Sequence, residues 1–242
     1  MDRRTAAERE HIAIMQAVVS DLASLPLALK GGTALLLCYG LDRFSEDIDL
    51  DGRKKLNLQS RLGAVLSRVT TEYDIRIVKD TDTVQRIKIR YKTPVATGNL
   101  KVEVSYRTGF DEIDLADING IKTYKIPRLI EQKLRALEGR TTARDLYDMA
   151  FLAERYGSSF SHDARADAKR FVSDLNTLES RFRVAFEADD ILSGYTNADE
   201  VIVRLQSALK RTPQAPTERE SKIEALHQTR AATKTPDNDR DR

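Results

Sequence analysis

Two stretches of the sequence decide the fold: Lys30-Gly31-Gly32-Thr33-Ala34-Leu35 and, shortly after it, Arg43-Phe44-Ser45-Glu46-Asp47-Ile48-Asp49-Leu50. Leu27-Ala28-Leu29 predicts a short apolar strand that runs into the glycine pair, which predicts a tight turn. The apolar run from Ala34 to Tyr39 indicates a buried helix. Polar and apolar residues then alternate over 45–51, which is typical of a strand with one wet face.

The aspartates of the second segment predict a site for a cation. Residues two apart on a strand point to the same face, so Asp47 and Asp49 converge. Paired carboxylates are costly unless a cation neutralises them, and hard oxygen ligands suit Mg²⁺ or Mn²⁺. Asp51 shares this face, and we interpret it as a peripheral charge. Taken alone, an Asp-x-Asp pair is most often a solvated strand face.

The glycine pair predicts a phosphate site beside those carboxylates. Gly31 and Gly32 allow backbone amides to approach a phosphate closely, and the N-terminus of the following helix offers free N–H groups. Thr33 adds a hydroxyl donor. Gly-Gly-Thr alone is usually only a turn, but the two motifs one helix apart are far more specific. Together they indicate in-line transfer from a nucleoside triphosphate.

The rest of the pattern predicts an α/β (α+β) fold, a mixed sheet with flanking helices followed by a helical domain. Further helices are expected over 5–25, 56–69, 128–138, 143–156, 162–171, 175–186 and 198–209, and further strands over 73–78, 85–91 and 100–106. We divide the chain into a core domain over 1–120, a helical domain over 121–210 and a tail over 211–242. The tail is poor in large apolar residues, which predicts disorder, with a transient helix near 217–231.

Composition excludes several kinds of protein. The 242-residue chain has a single cysteine, Cys38, so it has no internal disulfide and no cysteine-based zinc cluster. The three histidines, His11, His162 and His227, are scattered, which argues against a histidine metal site. No apolar run approaches the ~18 residues of a membrane span, and the N-terminus lacks the apolar region of a signal peptide. We expect a cytoplasmic protein with no membrane partner.

The charges are segregated although the formal net charge is only +2. Residues 53–107 contain 13 Lys and Arg against 5 Asp and Glu, and residues 122–144 contain 7 against 2. The acidic stretch 111–117 separates the two basic blocks. We expect the blocks to line one cleft for a polyphosphate or an RNA backbone. The alternative is a solvated lysine-rich surface without a partner.

Over about residues 25–155 the sequence resembles the AbiEii/AbiGii-type nucleotidyltransferases, toxins of type IV toxin–antitoxin and abortive-infection systems in the DNA polymerase β superfamily. The two opening segments carry the resemblance. A second block, Lys133 followed by Arg140-Thr141-Thr142-Ala143-Arg144-Asp145-Leu146-Tyr147-Asp148, resembles the second motif of the family. Two departures are Thr33, where many relatives have serine, and Glu103, where many have aspartate.

The resemblance implies a role for each motif residue. Asp47 and Asp49 would bind the divalent metal with a third carboxylate from a later strand, for which Glu103 is the candidate. Lys133 would hold the triphosphate. The remaining nucleotide-binding candidates are Gly31, Gly32, Thr33, Ser45, Arg144, Asp145 and Asp148. Arg144, Asp145 and Asp148 would orient Lys133 or contact the nucleotide, and Arg43 and Ser45 would touch phosphate. The alternatives are a strand-surface role for Glu103, a helix-surface salt-bridge cluster for Arg144, Asp145 and Asp148, and a structural role for Arg43.

The implied reaction is transfer of a nucleoside monophosphate from an NTP to an acceptor hydroxyl. Some members of the family act on the 3′ end of tRNA, so an RNA acceptor is the leading expectation, together with a cognate antitoxin protein. One alternative is transfer to a protein or to a small molecule such as an aminoglycoside. Another is a non-catalytic nucleotide- or RNA-binding module. A purely structural protein would leave the glycine pair and the paired aspartates unexplained.

Overall fold

The computed structural model describes residues 4–211 and confirms the predicted α/β class. Seven strands form one mixed sheet in the order β3-β4-β5-β2-β1-β7-β6. The strands are β1 (Leu27–Lys30), β2 (Asp47–Gly52), β3 (Glu72–Asp80), β4 (Val84–Lys92), β5 (Thr97–Ser105), β6 (Leu115–Ile118) and β7 (Ile121–Tyr124). The helices are α1 (Ala6–Leu22), α2 (Gly31–Tyr39), α3 (Gln59–Val69), α4 (Ile126–Gly139), α5 (Ala143–Arg155), α6 (His162–Phe171), α7 (Leu175–Glu187) and α8 (Ala198–Lys210).

The central strands combine both pairing directions. β2 pairs antiparallel with β1 and parallel with β5, and β1 pairs parallel with β7. The parallel pair β2–β5 requires a long connection, which α3 and the β3–β4 hairpin provide. The sequence-distant strands β2 and β5 therefore become neighbours.

One face of the sheet is apolar and is covered by α1 and α3. Ile87, Ile89 and Tyr91 are buried on this face. His11 of α1 is 2.7 Å from the Tyr91 hydroxyl through Nδ1. Alternate residues of the same strands point to the opposite face, which puts the polar residues of β2, β4 and β5 away from α1 and α3.

The helices after β7 form a group around α5. This helix is buried on nearly every side and packs against α4, α7 and α8. The Tyr147 hydroxyl of α5 donates to Asp42 Oδ1 at 2.9 Å, which joins the helical group to the loop before β2. The proposed division at residues 120 and 121 stays a prediction.

Several element boundaries differ from the sequence-based expectations. α2 begins at Gly31, so the glycine pair starts a helix instead of forming a separate turn. The hairpin β6–β7 was not predicted. Its two loop residues, Asn119 and Gly120, have φ of 53° and 80°, and Asn-Gly is the residue pair that a tight hairpin turn prefers. The predicted helix near 217–231 lies outside the described residues, as does the predicted tail beyond Arg211.

Within residues 4–211, none of the helices has the length and apolar character needed to cross a membrane.

Candidate active site

The sheet register brings the predicted metal ligands together. Asp47 and Asp49 share one face of β2, and the intervening Ile48 is buried on the other. The parallel pairing with β5 places Glu103 directly beside Asp49 and Lys101 directly beside Asp47. The structure therefore puts the predicted third carboxylate next to the aspartate pair.

Two of these three carboxylates are paired with a cation, and Asp49 is not. Lys101 Nζ lies 2.5 Å from Asp47 Oδ2, and Arg86 Nε donates to Glu103 Oε2 at 2.6 Å. In the described part of the chain the Asp49 carboxylate has no hydrogen bond or ion pair. Burial raises the pKa of Asp49; Lys101 opposes this rise and Asp47 adds to it. The ionised Asp49 carboxylate therefore interacts with Lys101 and Lys30 only at longer range than a salt bridge.

The donor set fits a hard divalent cation. Mg²⁺ and Mn²⁺ prefer carboxylate oxygens and complete their coordination with water and substrate phosphates. Over residues 4–211, no group of three or more Asp, Glu, His or Cys side chains is already arranged as a metal centre. Instead, Lys101 forms an ion pair with Asp47, and Arg86 forms one with Glu103. A cation bound at Asp49 would have to displace or share these two basic partners.

The glycine pair starts α2 immediately beside Asp49. Gly31 has a φ of 71°, in the left-handed region, and a Cβ there would lie 3.2 Å from Asp49 Oδ2. A Cβ at Gly32 would lie 2.6 Å from Arg43 Nη2. No side chain caps this helix end, so its first amides remain available to an anion.

Replacing Gly31 with alanine should destabilise the protein more than the same change at Gly120. Both positions have positive φ, which costs a non-glycine residue about 1–2 kcal/mol. Only Gly31 adds a close approach to Asp49, since nothing lies within 4 Å of a Cβ at Gly120. Differential scanning calorimetry of Gly31→Ala and Gly120→Ala measures the difference. Equal losses of Tm would show that the contact with Asp49 costs nothing.

The Thr33 hydroxyl joins α2 to β2. Thr33 is 1% exposed, and its Oγ1 is 2.9 Å from Ser45 Oγ and also donates to the Asp47 carbonyl. The hydroxyl is thus engaged within the protein, and Thr33 does not line the cleft, whereas Ser45 does. The geometry gives Thr33 a part in positioning Asp47. Its predicted contact with a phosphate stays a prediction.

Lys133 lies between two buried aspartates of α5. Its Nζ is 2.8 Å from Asp145 Oδ1 and 2.5 Å from Asp148 Oδ2. Arg43 binds Asp148 with two hydrogen bonds of 2.7 Å, from Nε and Nη2. Arg140 Nε donates to Asp145 Oδ2 at 2.7 Å. The second motif therefore forms one connected network with the loop before β2.

The burial and the partners of these side chains indicate the role of each one. Burial alone would raise the pKa of Asp145, but Lys133 and Arg140 outweigh burial and hold that pKa well below its usual range. Asp145 and Asp148 are 2% and 0% exposed, so they can orient Lys133 more readily than they can contact a nucleotide. Arg43 is 4% exposed and holds Asp148 in place. Of the alternatives, the structural role of Arg43 has direct support in this geometry.

Two adjoining cavities meet at the carboxylates. One, of about 510 Å³, extends from the start of α2 past Ser45 to Arg144. The other, of about 530 Å³, extends along α4 to the loop after β5. Both are lined by Gly31, Asp49, Glu103, Lys133, Arg140 and Asp145. Arg144 donates to Glu46 Oε1 at 2.9 Å and to Asp189 Oδ2 at 2.8 Å, so it closes the first cavity by joining the loop before β2 to the turn after α7.

The Asp51 carboxylate lines the same cavity as Asp49 and Glu103, and it is held by two partners within the fold. Lys30 Nζ donates to its Oδ1 at 2.6 Å and the Tyr124 hydroxyl donates to its Oδ2 at 2.7 Å. Burial is the main cause that raises the pKa of Tyr124 well above its usual range, and the Asp51 hydrogen bond adds to it. Asp51 therefore joins β1, β2 and β7.

Sequence reasoning missed the cations of this site. No carboxylate partner could be assigned to these cations from the sequence: Arg86 and Lys101 belong to the first basic block, and Arg140 begins the second motif. The alternation along β4 and β5 could have placed Arg86 and Lys101 on the wet face. Their pairing with particular carboxylates depends on strand register, which the alternation leaves open.

A mixed sheet that presents paired carboxylates beside a glycine-led helix defines this protein as a nucleotidyltransferase. The family model described as nucleotidyl transferase AbiEii toxin, type IV TA system, matches residues 13–231. The chain belongs to this AbiEii nucleotidyltransferase toxin family, and the match extends beyond the residues 25–155 that carried the resemblance.

Two solved structures from Helicobacter pylori are similar over almost the whole chain. One, described as a candidate nucleotidyltransferase, is 33% identical with a TM-score of 0.79 and covers 96% of this chain and 100% of its own. The other, JHP933, is 35% identical with a TM-score of 0.79 and covers 96% of this chain and 99% of its own. No curated protein matches the sequence.

Proposed function

We propose that this toxin transfers a nucleoside monophosphate from an NTP to the 3′-terminal hydroxyl of tRNA, with Mg²⁺ or Mn²⁺ as the cofactor. The observation that carries the proposal is the Asp49 carboxylate. It forms no salt bridge within residues 4–211, it adjoins Glu103 and Asp47, and it lies against the glycine that starts α2. Such an arrangement serves a cation and a polyphosphate at the same place.

The phosphates have donors on both sides of Asp49. The uncapped amides of Gly31 and Gly32 and the dipole of α2 favour negative charge at one side. Lys133 faces the cleft from α4 and is positioned by Asp145 and Asp148. A lysine is a compact point charge that suits a phosphate oxygen. These groups would bind and orient the triphosphate.

In the proposed reaction the acceptor oxygen forms a bond to the α-phosphorus, and the bond from that phosphorus to the bridging oxygen breaks. Pyrophosphate leaves with the electron pair of the broken bond. Arg86 holds Glu103 Oε2, so we assign Glu103 Oε1 as the atom that takes up the hydroxyl proton. A cation held by Asp47, Asp49 and Glu103 would neutralise the charge that develops on the phosphate oxygens.

The tRNA acceptor and the cognate antitoxin are proposed on different grounds. tRNA is proposed because basic residues line the cleft around the carboxylates, and an RNA backbone requires such cations. A cognate antitoxin is implied by membership of a type IV toxin–antitoxin family.

The test is labelling with each of the four α-³²P NTPs in turn, in the presence of MgCl₂, total RNA and total protein. We expect label in a tRNA-sized band, lost in Asp49→Asn and retained in Asp163→Asn, which changes an exposed aspartate of α6. Label in a protein band would replace the tRNA acceptor by a protein. Absence of label, with a folded protein, would favour a non-catalytic nucleotide- or RNA-binding module or a small-molecule acceptor.

Replacing Lys133 with alanine should weaken NTP binding. A hydrogen bond to a charged group contributes about 1.5–3 kcal/mol, so affinity should fall about 10- to 150-fold. Isothermal titration calorimetry with a non-hydrolysable NTP measures the change. Lys169→Ala on α6 is the control, and Tm of both variants verifies folding. An unchanged affinity in Lys133→Ala would remove Lys133 from the triphosphate site.

A further inference from the structure

A row of basic side chains extends outward from the carboxylates across three strands. These side chains lie on the face of the sheet opposite to the apolar face that α1 and α3 cover. We name this surface the basic sheet face. Its cations are Arg76 and Lys79 on β3, Arg86, Lys88, Arg90 and Lys92 on β4, and Lys101 on β5. Two acidic residues of β3, Glu72 and Asp74, lie on the same face opposite Lys92 and Arg90.

The strand registers show that this surface is continuous with the active site. Directly paired residues share a face. The first cross-strand row runs from Asp47 through Lys101 and Lys88 to Arg76. The second row runs from Asp49 through Glu103 and Arg86 to Lys79. With strands about 4.8 Å apart, the rows carry positive charge roughly 14 Å from β2.

Like charges face each other directly in these rows. Lys88 lies opposite Lys101 on one side and Arg76 on the other, and Arg86 lies opposite Lys79. Such pairs destabilise a sheet. Lys79 and Lys88 are exposed and form no ion pair with an acidic residue among residues 4–211, whereas exposed Arg90 lies opposite Asp74 of β3. Like-charge pairs that are kept despite this cost indicate that the surface binds an anionic partner.

A β-bulge maintains the pattern at the outer strand. The register of β3 shifts between Ile77 and Lys79, so Val78 is the extra residue and Lys79 pairs with Arg86. Without the bulge, Val78 would lie opposite Arg86 and Lys79 would point to the other face. The irregularity thus directs a cation to the basic sheet face.

The surface favours phosphates over bases. The aromatic side chains of this hairpin, Tyr73 and Tyr91, are paired with each other on the opposite face. A surface that binds single-stranded bases stacks them on aromatic rings, and this one offers none from β3 or β4. Arg76 is paired with Asp74 and Lys92 with Glu72, but these exposed ion pairs are weak and exchange readily.

We propose that the basic sheet face binds the phosphate backbone of the RNA acceptor and leads its 3′ end to Asp49 and Glu103. The proposal rests on the proposed nucleotidyl transfer to RNA and adds the surface that holds the acceptor. The nucleotide, by contrast, binds at the start of α2 and at Lys133. The two substrates therefore depend on different basic residues.

The test compares two triple variants with equal changes of charge. The face variant carries Lys79→Gln, Lys88→Gln and Arg90→Gln. The control variant carries Lys169→Gln, Arg170→Gln and Arg183→Gln, which are exposed on α6 and α7. Binding of fluorescently labelled tRNA is measured by anisotropy without NTP, over a series of KCl concentrations. NTP affinity and Tm are measured in parallel.

We expect the face variant to bind tRNA about 10-fold or more weakly at physiological salt and to lower the slope of log Kd against log salt by about 2–3, one unit for each lost phosphate contact. NTP affinity should stay unchanged. Tm should stay near the wild-type value or rise, because Lys79 and Lys88 lose like-charge neighbours, whereas Arg90 loses only its exposed neighbour Asp74. The control variant should match the wild type in tRNA binding. Equal tRNA affinity and slope in wild type and face variant would overturn the proposal and leave an acidic protein as the occupant.

This outcome is separable from that of the labelling experiment. If the wild type labels a protein and not tRNA, the proposed acceptor is wrong, and a face-dependent salt slope would still identify an RNA-binding surface. If the wild type labels tRNA and the face variant binds and labels it equally well, only the basic sheet face is wrong.

Discussion

Asp49→Asn should reduce nucleotidyl transfer by about three orders of magnitude, because a metal ligand at a phosphoryl-transfer site supplies several kcal/mol of transition-state stabilisation. Asparagine keeps the size of aspartate but cannot replace an anionic ligand. Of the three neighbouring carboxylates, Asp49 has no ion-pair partner in the described part of the chain. It is therefore the residue whose charge the proposed cation would balance.

The same substitution should stabilise the protein in the absence of metal. Burial and the neighbouring Asp47 raise the pKa of Asp49. A carboxyl group whose pKa is higher in the folded than in the unfolded state costs stability at every pH where it is ionised in the folded protein. The cost is full above the folded pKa and vanishes as pH falls below the unfolded pKa. At pH 7 in EDTA we therefore expect a higher Tm for Asp49→Asn than for wild type.

Added MgCl₂ should reverse that ranking. A ligand that binds only the folded state raises Tm with its concentration, so wild type should gain stability from MgCl₂ and Asp49→Asn should gain little. Thermal unfolding in EDTA and over a MgCl₂ series measures both effects, with Asp163→Asn as the control. Wild-type transfer activity in Asp49→Asn, or an equal response to MgCl₂, would show that Asp49 does not bind the metal.

The placement of Asp47 and Asp49 on one face could be predicted from local patterns in the sequence. Strand alternation depends only on residues two apart, so the shared face of this pair was predictable from its own segment. The same holds for the C-terminal end of α2, where Gly40 has a φ of 78°. The hairpin β6–β7 was equally local, and the Asn119-Gly120 pair was its overlooked signal.

Contacts between distant segments could not be obtained in that way. The position of Glu103 beside Asp49 depends on a parallel register between strands about fifty residues apart, and only the resemblance to a family pointed to Glu103. The β-bulge at Val78 changes which side chains share a face; the alternation of β3 breaks at Ile77-Val78, but such a break does not by itself distinguish a bulge from the end of a strand. The two hydrogen bonds from Arg43 to Asp148 link residues 105 positions apart.

The buried contacts of Arg43, Lys133 and Asp148 join the two proposed domains. Asp148 and Lys133 belong to α5 and α4, whereas Arg43 belongs to the loop before the carboxylate strand. If the helical segment forms a unit of its own, this buried contact is the means by which the unit is held against the catalytic strand. A change at Asp148 should then affect both stability and catalysis.

Asp148→Ala should be the most destabilising single substitution of this site. The Asp148 side chain is 0% exposed and its partner Arg43 is 3% exposed. Removing one member of a buried ion pair leaves an uncompensated charge and costs about 3–5 kcal/mol, a large part of the ~5–15 kcal/mol by which proteins are stable. At 2–4 °C for each kcal/mol in a chain of this size, Tm should fall by roughly 6–20 °C.

A double variant tests whether the loss arises from the isolated cation. In Arg43→Met/Asp148→Leu, apolar side chains of similar volume replace both charges, an exchange that is often neutral or stabilising for buried pairs. Lys133 keeps Asp145 as its partner. We expect the double variant to regain most of the stability that Asp148→Ala loses in urea unfolding. Glu179→Ala, which breaks an exposed pair with Arg183, is the control and should cost at most about 0.5 kcal/mol.

Activity of the refolded double variant then separates stability from positioning. Arg43 Nη2 lies against Gly32, where a Cβ would be only 2.6 Å away, and Asp148 holds Lys133 toward the cleft. With stability restored, transfer should remain well below wild type because neither the start of α2 nor Lys133 keeps its position. Wild-type transfer in the double variant would instead show that the Arg43–Asp148 pair serves the fold alone.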